Sequence, residues 1–216
     1  MRKRIWRCLF ADLSAGTFEL KTRKTLPRKT AAGGTLVLST DVLAGTGGLA
    51  FDRMIWQMPD GSKTESVGRL AAALRYAGAD ALVLSGKRKN PGVLVLEGWA
   101  GHVDDMADIV RSGGAFHEGL ALRSALRDRY LTDDTVIAVA EDGGVIETGG
   151  RCIADAAVSA SLRGMGLLAI VAAGTGALEV ADPQALIEGY LRYYQEGGTP
   201  AVLAALKEAC LGKEAE

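Results

Sequence analysis

With 216 residues, 48% of them hydrophobic, the chain can bury a substantial core and lies near the upper size for one compact domain. Its 25 basic and 26 acidic residues leave a formal net charge of −1, so no broad field attracts nucleic acid or an anionic membrane. No apolar stretch approaches the roughly 20 residues of a bilayer span. The charged start runs into Asp12 and a Ser14-Ala15-Gly16 turn instead of a signal core, so a cytoplasmic protein is expected. Cys8, Cys152 and Cys210 lie far apart without a Cys-x-x-Cys pair, which argues against an autonomous zinc or iron–sulfur site. The basic residues Arg2, Lys3, Arg4 and Arg7, and those of 21–29, are interrupted by apolar ones and read as solvated strand edges.

Residues 5–11 and 17–23 flank the turn-rich stretch 12–16 and predict an opening β-hairpin. Two more strands are expected at 35–40 and 49–58, the second ending at the Pro59-Asp60-Gly61 turn. Ser62 and Glu65 have capping-box spacing and predict a helix from there to Gly78. Leu70, Ala73, Leu74 and Ala77 would form its apolar stripe, packed on a strand at 81–84. Pro91-Gly92 turns into a strand at 93–97, followed by helices at 104–111 and 116–130. In the latter, Leu120, Leu122, Ala125 and Leu126 recur at helical spacing while Arg123, Arg127, Asp128 and Arg129 line a solvated face. Residues 135–140 and 145–148, joined by Glu141-Asp142-Gly143-Gly144, predict a second hairpin, and 155–163 a small-residue helix. Asp182 before Pro183, and Thr199 before Pro200, mark the starts of two terminal helices.

One pattern occurs twice. Leu74-Arg75-Tyr76-Ala77-Gly78, running on to the strand 81–84, returns as Leu162-Arg163-Gly164-Met165-Gly166 and a strand within 167–174, with Leu162 88 residues after Leu74. Each copy reads as a last helical turn, a glycine ending it in the left-handed conformation, and a buried strand. Two similar halves follow, with any ligand expected between them.

Groups able to do chemistry are scarce. His102 and His117 have no neighbouring nucleophile motif and read as exposed or capping residues. The pairs Asp104-Asp105, Asp133-Asp134 and Glu141-Asp142 sit where Asp is expected to bond backbone in turns and caps. Gly45-Thr46-Gly47-Gly48 and Gly174-Thr175-Gly176 look like fragments of a dinucleotide loop. Such a loop needs a helix immediately after the glycines, and 51–56 and 177–180 read as strands.

Taken in order, several segments resemble the N-terminal domain of the tungsten-containing aldehyde ferredoxin oxidoreductases. Residues 11–17, Ala-Asp-Leu-Ser-Ala-Gly-Thr, are similar to that family's V-D-L-T-T-G-K hairpin, and 36–45 to its L-I-F-A-T-G-P-L-T-G segment. Residues 74–87 are similar to L-K-F-A-G-Y-D-A-I-I-I-E-G-K, the most specific match, and 167–174 with Val180-Ala181-Asp182-Pro183 resemble the later strand and V-A-D-P helix start.

The resemblance implies an α/β (α+β) fold: one domain, 1–216, of two similar, intertwined halves (about 1–100 and 101–216), with stacked, mostly antiparallel sheets flanked by helices. In the family this domain cradles a metal held by two pyranopterins, and the whole enzyme oxidises aldehydes to carboxylates. The family's serine–glycine–glycine stretch corresponds to Ser66, Val67 and Gly68, with one glycine replaced. Its arginine followed by A-G-R-G-G corresponds to Arg151 and then Asp155, Ala156 and Ala157, so that an anion stands for a phosphate-facing cation and alanines for both glycines. The family arginine after the T-G-T turn is absent, Phe51 or its neighbour standing there. No catalytic residue and no protein metal ligand is expected, and the cofactor is expected to be absent in isolation, or to be a tungsten or molybdenum bis-pyranopterin if the family site is retained. The leading expectation is a non-catalytic binding or assembly partner, as a homodimer or with a full-length oxidoreductase subunit, and without nucleic acid or membrane. The alternatives are a pterin-binding subunit of a split aldehyde:ferredoxin oxidoreductase, which would not act alone, and a small-molecule-binding module.

Overall fold

A computed structural model describes residues 4–27, 34–46, 51–98, 100–106, 115–132, 135–147, 149–174, 178, 180 and 182–195. Contacts divide the chain into two compact units, Met1–Ala181 and Asp182–Glu216. In the first, β1 (Trp6–Asp12) and β2 (Thr17–Arg23) form the opening hairpin. It is closed where Asp12 Oδ1 accepts the amides of Ser14 and Ala15 at 2.9 and 3.1 Å. β3 (Leu36–Thr40), β4 (Arg53–Gln57) and β5 (Lys63–Val67) then form an antiparallel meander, and α1 (Arg69–Tyr76) leads into β6 (Ala81–Ser85). The same succession follows as β7 (Gly92–Glu97), β8 (Ala100–Asp105), α2 (Ala115–Tyr130), β9 (Thr135–Glu141), β10 (Gly144–Glu147), β11 (Cys152–Ala154), α3 (Ala156–Gly164) and β12 (Leu167–Ala173). The second unit contains α4 (Pro183–Gln195), whose first turn is capped by Asp182 Oδ1 accepting Ala185 N at 3.1 Å.

The strands make two six-stranded sheets, ordered β2-β1-β6-β3-β4-β5 and β8-β7-β12-β9-β10-β11. The orders coincide when every strand number is raised by six. Each sheet is antiparallel except for one pair, β1 with β6 and β7 with β12, so the fold is mixed α+β as expected. The repeated glycines do what the pattern demands: Gly78 and Gly166 have φ of 86° and 82°, and each amide bonds back to the carbonyl of the repeated arginine.

The sheets face each other across a shared core. It takes Leu9, Leu38, Trp56 and Leu82 from the first, Leu94, Ala138, Val145 and Ile170 from the second, and Leu70, Leu74, Val158 and Leu162 from α1 and α3. Each large aliphatic side chain buried there contributes about 1.5–3 kcal/mol. The sheet edges meet as well, β2 against β8 and β5 against β11. At the first meeting Gly101 leaves room for Phe18, since a Cβ there would lie 2.8 Å from its ring. Leu122 and Leu126 of α2 cover the outer face of the second sheet over Val93, Ile137, Val139 and Val171. Tyr130 and Arg129 fasten the end of this helix to Asp104 on β8. Among the described residues no helix is long and apolar enough to cross a membrane.

Three expectations change. The helix predicted from Ser62 begins only at Arg69, because 63–67 pair with β4 as an edge strand and Glu65 meets Arg53 across it at 3.3 Å. Ser62 instead bonds Asp60 in the turn. The acidic start of the predicted 104–111 helix lies in β8, where Asp104 and Asp105 pair with Val93 and Gly92; residues 107–114 lie outside the described residues. So do residues 177, 179 and 199–212, where the second terminal helix is expected. Finally, Arg4 and Arg7 are not solvated: Arg7 is 9% exposed, and burial lowers the Arg4 guanidinium to about 10.

The reason for that burial is Asp80. Its carboxylate accepts Arg75 Nη1 at 2.5 Å and the Arg7 amide at 2.8 Å, and lies 3.5 Å from Arg4 Nη2. Its backbone exchanges bonds with Arg7 O and Thr40 N, tying β1, β3 and β6 together at one end of the sheet. Arg75 and Asp80 are each 1% exposed. The second copy places Leu168 where Asp80 stands, and Arg163, half-buried, donates to Ala140 O at 3.2 Å. Asp80→Ala is therefore expected to cost about 3–5 kcal/mol by stranding buried guanidinium charge. Arg163→Ala should cost only about 0.5–1.5 kcal/mol. Urea denaturation of both variants checks the contrast, and equal losses would contradict it.

Candidate functional site

The β5–β11 meeting is where the two halves place matching strand-to-helix corners. Each strand ends its meander and passes through one residue, Gly68 or Asp155, into a helix. A helix start presents amides without intrahelical partners, so these corners are the natural places for an anion.

At the first corner Gly68 is extended and supplies no side-chain cap. The acceptor comes from the other half: Glu147, at the end of β10 and 4% exposed, takes the Leu70 amide on Oε2 at 3.3 Å and also bonds the Arg69 amide. The fit is close. A Cβ at Gly68 would lie 2.5 Å from Ile153 Cγ2, 2.9 Å from Glu147 Oε2 and 3.1 Å from Met54 Cε. At the second corner Asp155 Oδ1 accepts the Val158 amide at 3.0 Å, and Oδ2 accepts the Thr64 hydroxyl of β5 at 3.2 Å. Each half thus completes the other's corner.

The residues singled out by sequence come to this seam. Ser66 accepts the Trp56 indole N–H at 3.2 Å, Val67 pairs with Arg53, and Gly68 rests on Ile153. Arg151 is exposed, with its carbonyl accepting the Glu147 amide at 2.9 Å, while Ala156 and Ala157 are exposed in the first turn of α3. Asp155 is a cap. Sequence reasoning missed Glu147. Its signal was available: Val145 and Glu147 share the inward face of one strand, and an acid at a core-facing position requires a partner.

Burial pushes the Glu147 carboxyl above the ordinary range, outweighing the opposing pull of the Leu70 and Arg69 amides and of the Arg151 and Arg69 charges. Asp52, which accepts the Gly45 amide at 2.9 Å and whose carbonyl accepts the Gly68 amide at 2.9 Å, is also raised by burial. After Phe51 and Asp52 the chain enters β4; residues 47–50, with the last two glycines of the Gly45 loop, lie outside the described residues. The Cys8 thiol, fully buried, is pushed up to about 11, so it offers no thiolate near neutral pH. His102 is exposed and 3.4 Å from Asp104. A cavity of about 190 Å³ opens beside α2, where Arg123 and Arg127 stand over Ile137, Val139 and Ile146, and it reaches Glu147, Gly149 and Gly150 at the end of β10. Arg123 there is held by both carboxylate oxygens of Glu141.

No family model matches the chain, and no curated protein does. A solved structure does: the active site complex BamBC of benzoyl coenzyme A reductase, in complex with 1,5-dienoyl-CoA, superposes with a TM-score of 0.60 at 19% sequence identity. The match covers 91% of this chain and 36% of that one, so the chain spans little more than a third of its neighbour's length. The two share a fold.

The Glu147 shift has a measurable sign. The folded chain keeps this proton to higher pH than the unfolded chain, whose glutamate titrates near about 4.3. The fold therefore binds more protons above that pH, and stability falls as pH rises through the window up to the folded value. In urea titrations across pH, the stability of the wild type relative to Glu147→Gln is expected to fall above about 4.3 and then level off. A difference that grows with pH would contradict the assignment.

Proposed function

We propose that the chain is a distant relative of the N-terminal domain of the aldehyde ferredoxin oxidoreductases, working as a non-catalytic binding or assembly module. The observation that carries this reading is that the amides at both helix starts of the seam bond the chain's own carboxylates, Glu147 and Asp155. The motif resemblance and the shared fold over 91% of the chain support the ancestry, and the neighbour is itself named as a complex, which supports association with another chain. Its partner is a second copy or a larger oxidoreductase subunit.

A second reading, a cofactor-holding subunit of a split aldehyde:ferredoxin oxidoreductase, draws on the neighbour's being an active site complex. Under it, the exposed Arg151 would be the retained cation of the cradle.

Metal analysis for tungsten and molybdenum, with pterin fluorescence after oxidation, separates the two on protein purified with its natural partner. The assembly reading expects neither metal nor pterin to co-purify in proportion to this chain, and light scattering to show a homodimer or a complex with a larger subunit. Stoichiometric metal and pterin would overturn it, and a strictly monomeric protein that retains no partner would remove the assembly role.

A further inference from the structure

Two helix starts, with Arg69 and Arg151 exposed beside them, would make the seam a receptor for phosphate if the first-turn amides were free. They are engaged. We infer that the anion positions at these helix starts are taken by the chain's own carboxylates, Glu147 at α1 and Asp155 at α3, so that they take no phosphate-bearing ligand and Glu147 serves as a positioning residue fastening one half to the other. The inference deepens the reading given above for this seam, but its geometry stands without the assembly role.

A bis-pyranopterin presents phosphate groups that need amide donors, cations and room for close backbone approach. The residues present do not fit it. The Leu70 amide is taken by Glu147 Oε2 at 3.3 Å, and the Val158 amide by Asp155 Oδ1 at 3.0 Å. Gly68, whose missing side chain opens space, gives that space to Ile153, Glu147 and Met54. A phosphate at either corner would face a carboxylate at close range, and a unit-charge repulsion at about 4 Å near a protein surface weakens binding roughly a thousandfold. Nor does Glu147 yield easily. Turning away would leave a carboxylate that is 4% exposed without its amide partners, and α1 without an acceptor for its first turn.

The test is titration of the full chain with inorganic pyrophosphate, followed by the Arg69, Leu70 and Val158 amide resonances, with sodium chloride at matched ionic strength as control. In the wild type these amides are expected not to shift at millimolar pyrophosphate beyond the control. In Glu147→Ala, which frees two amides and leaves space beside them, Arg69 and Leu70 are expected to shift saturably, with affinity raised at least about tenfold by loss of the repelling charge. Saturable shifts of these amides in the wild type overturn the inference, and that result does not depend on any variant folding. A folded Glu147→Ala whose Arg69 and Leu70 amides stay silent overturns the assignment of the exclusion to Glu147. Partner association is read separately by co-purification and light scattering, so loss of the assembly role would leave this inference standing, and the reverse.

Discussion

The first turn of α1 has no side chain of its own to accept its amide hydrogens. Gly68 stands at the N-cap because any larger residue would collide with Ile153 and Glu147, so the acceptor has to come from elsewhere in the chain. It comes from Glu147, 77 residues away in the other sheet. One requirement, that a buried amide find a partner, thereby links helix placement in one half to strand length and register in the other. β10 must end with its last inward position level with α1, and its register against β9 puts Glu147 there, paired with Ala138.

The same register shows how the halves diverged in role. Leu82 pairs with Leu38, which pairs with Trp56; in the second sheet Ile170 pairs with Ala138, which pairs with Glu147. Leu82 and Ile170 are matching positions of the repeat, so Trp56 and Glu147 occupy equivalent places. One is a fully buried indole whose N–H finds Ser66, the other a buried carboxylate whose oxygen finds Leu70. Asp80 and Leu168 form a second such pair, where one copy anchors three strands through charge and the other fills the volume with hydrocarbon. The apolar positions repeat because both sheets contribute to one core. The polar ones differ because each has to satisfy a different neighbour across the seam.

That division explains what could be read from the residues alone. The helix–glycine–strand unit, both hairpins and the Asp182 cap are local patterns, and each appears where expected. The 63–67 segment was misread because Ser62 and Glu65 have capping-box spacing whatever the backbone does, whereas the partner strand that makes this segment β lies in β4. Asp104 and Asp105 looked like a helix start for the same reason, yet they complete an edge strand whose register is set by β7. At the seam, Asp155 was legible as an anion in place of a cation because the comparison was with a linear motif. Glu147 belongs to no such motif, and only the inward parity of β10 marks it.

A shared fold therefore says little about shared chemistry here. The neighbour and this chain can agree over 91% of the smaller one at 19% identity because the architecture depends on alternating apolar faces and left-handed glycines, which many sequences satisfy. Ligand binding at helix starts depends on a much smaller set: a few amides, the charge facing them and the space left by absent side chains. Those amides can serve a bound anion or the protein's own carboxylates, but not both at once. In this chain the fold itself uses them, because the carboxylates that accept them also place α1 and, through the Thr64 hydroxyl, join β5 to β11. Recovering an anion site would therefore mean loosening the contact between the halves, and the two properties are coupled through the same carboxylates.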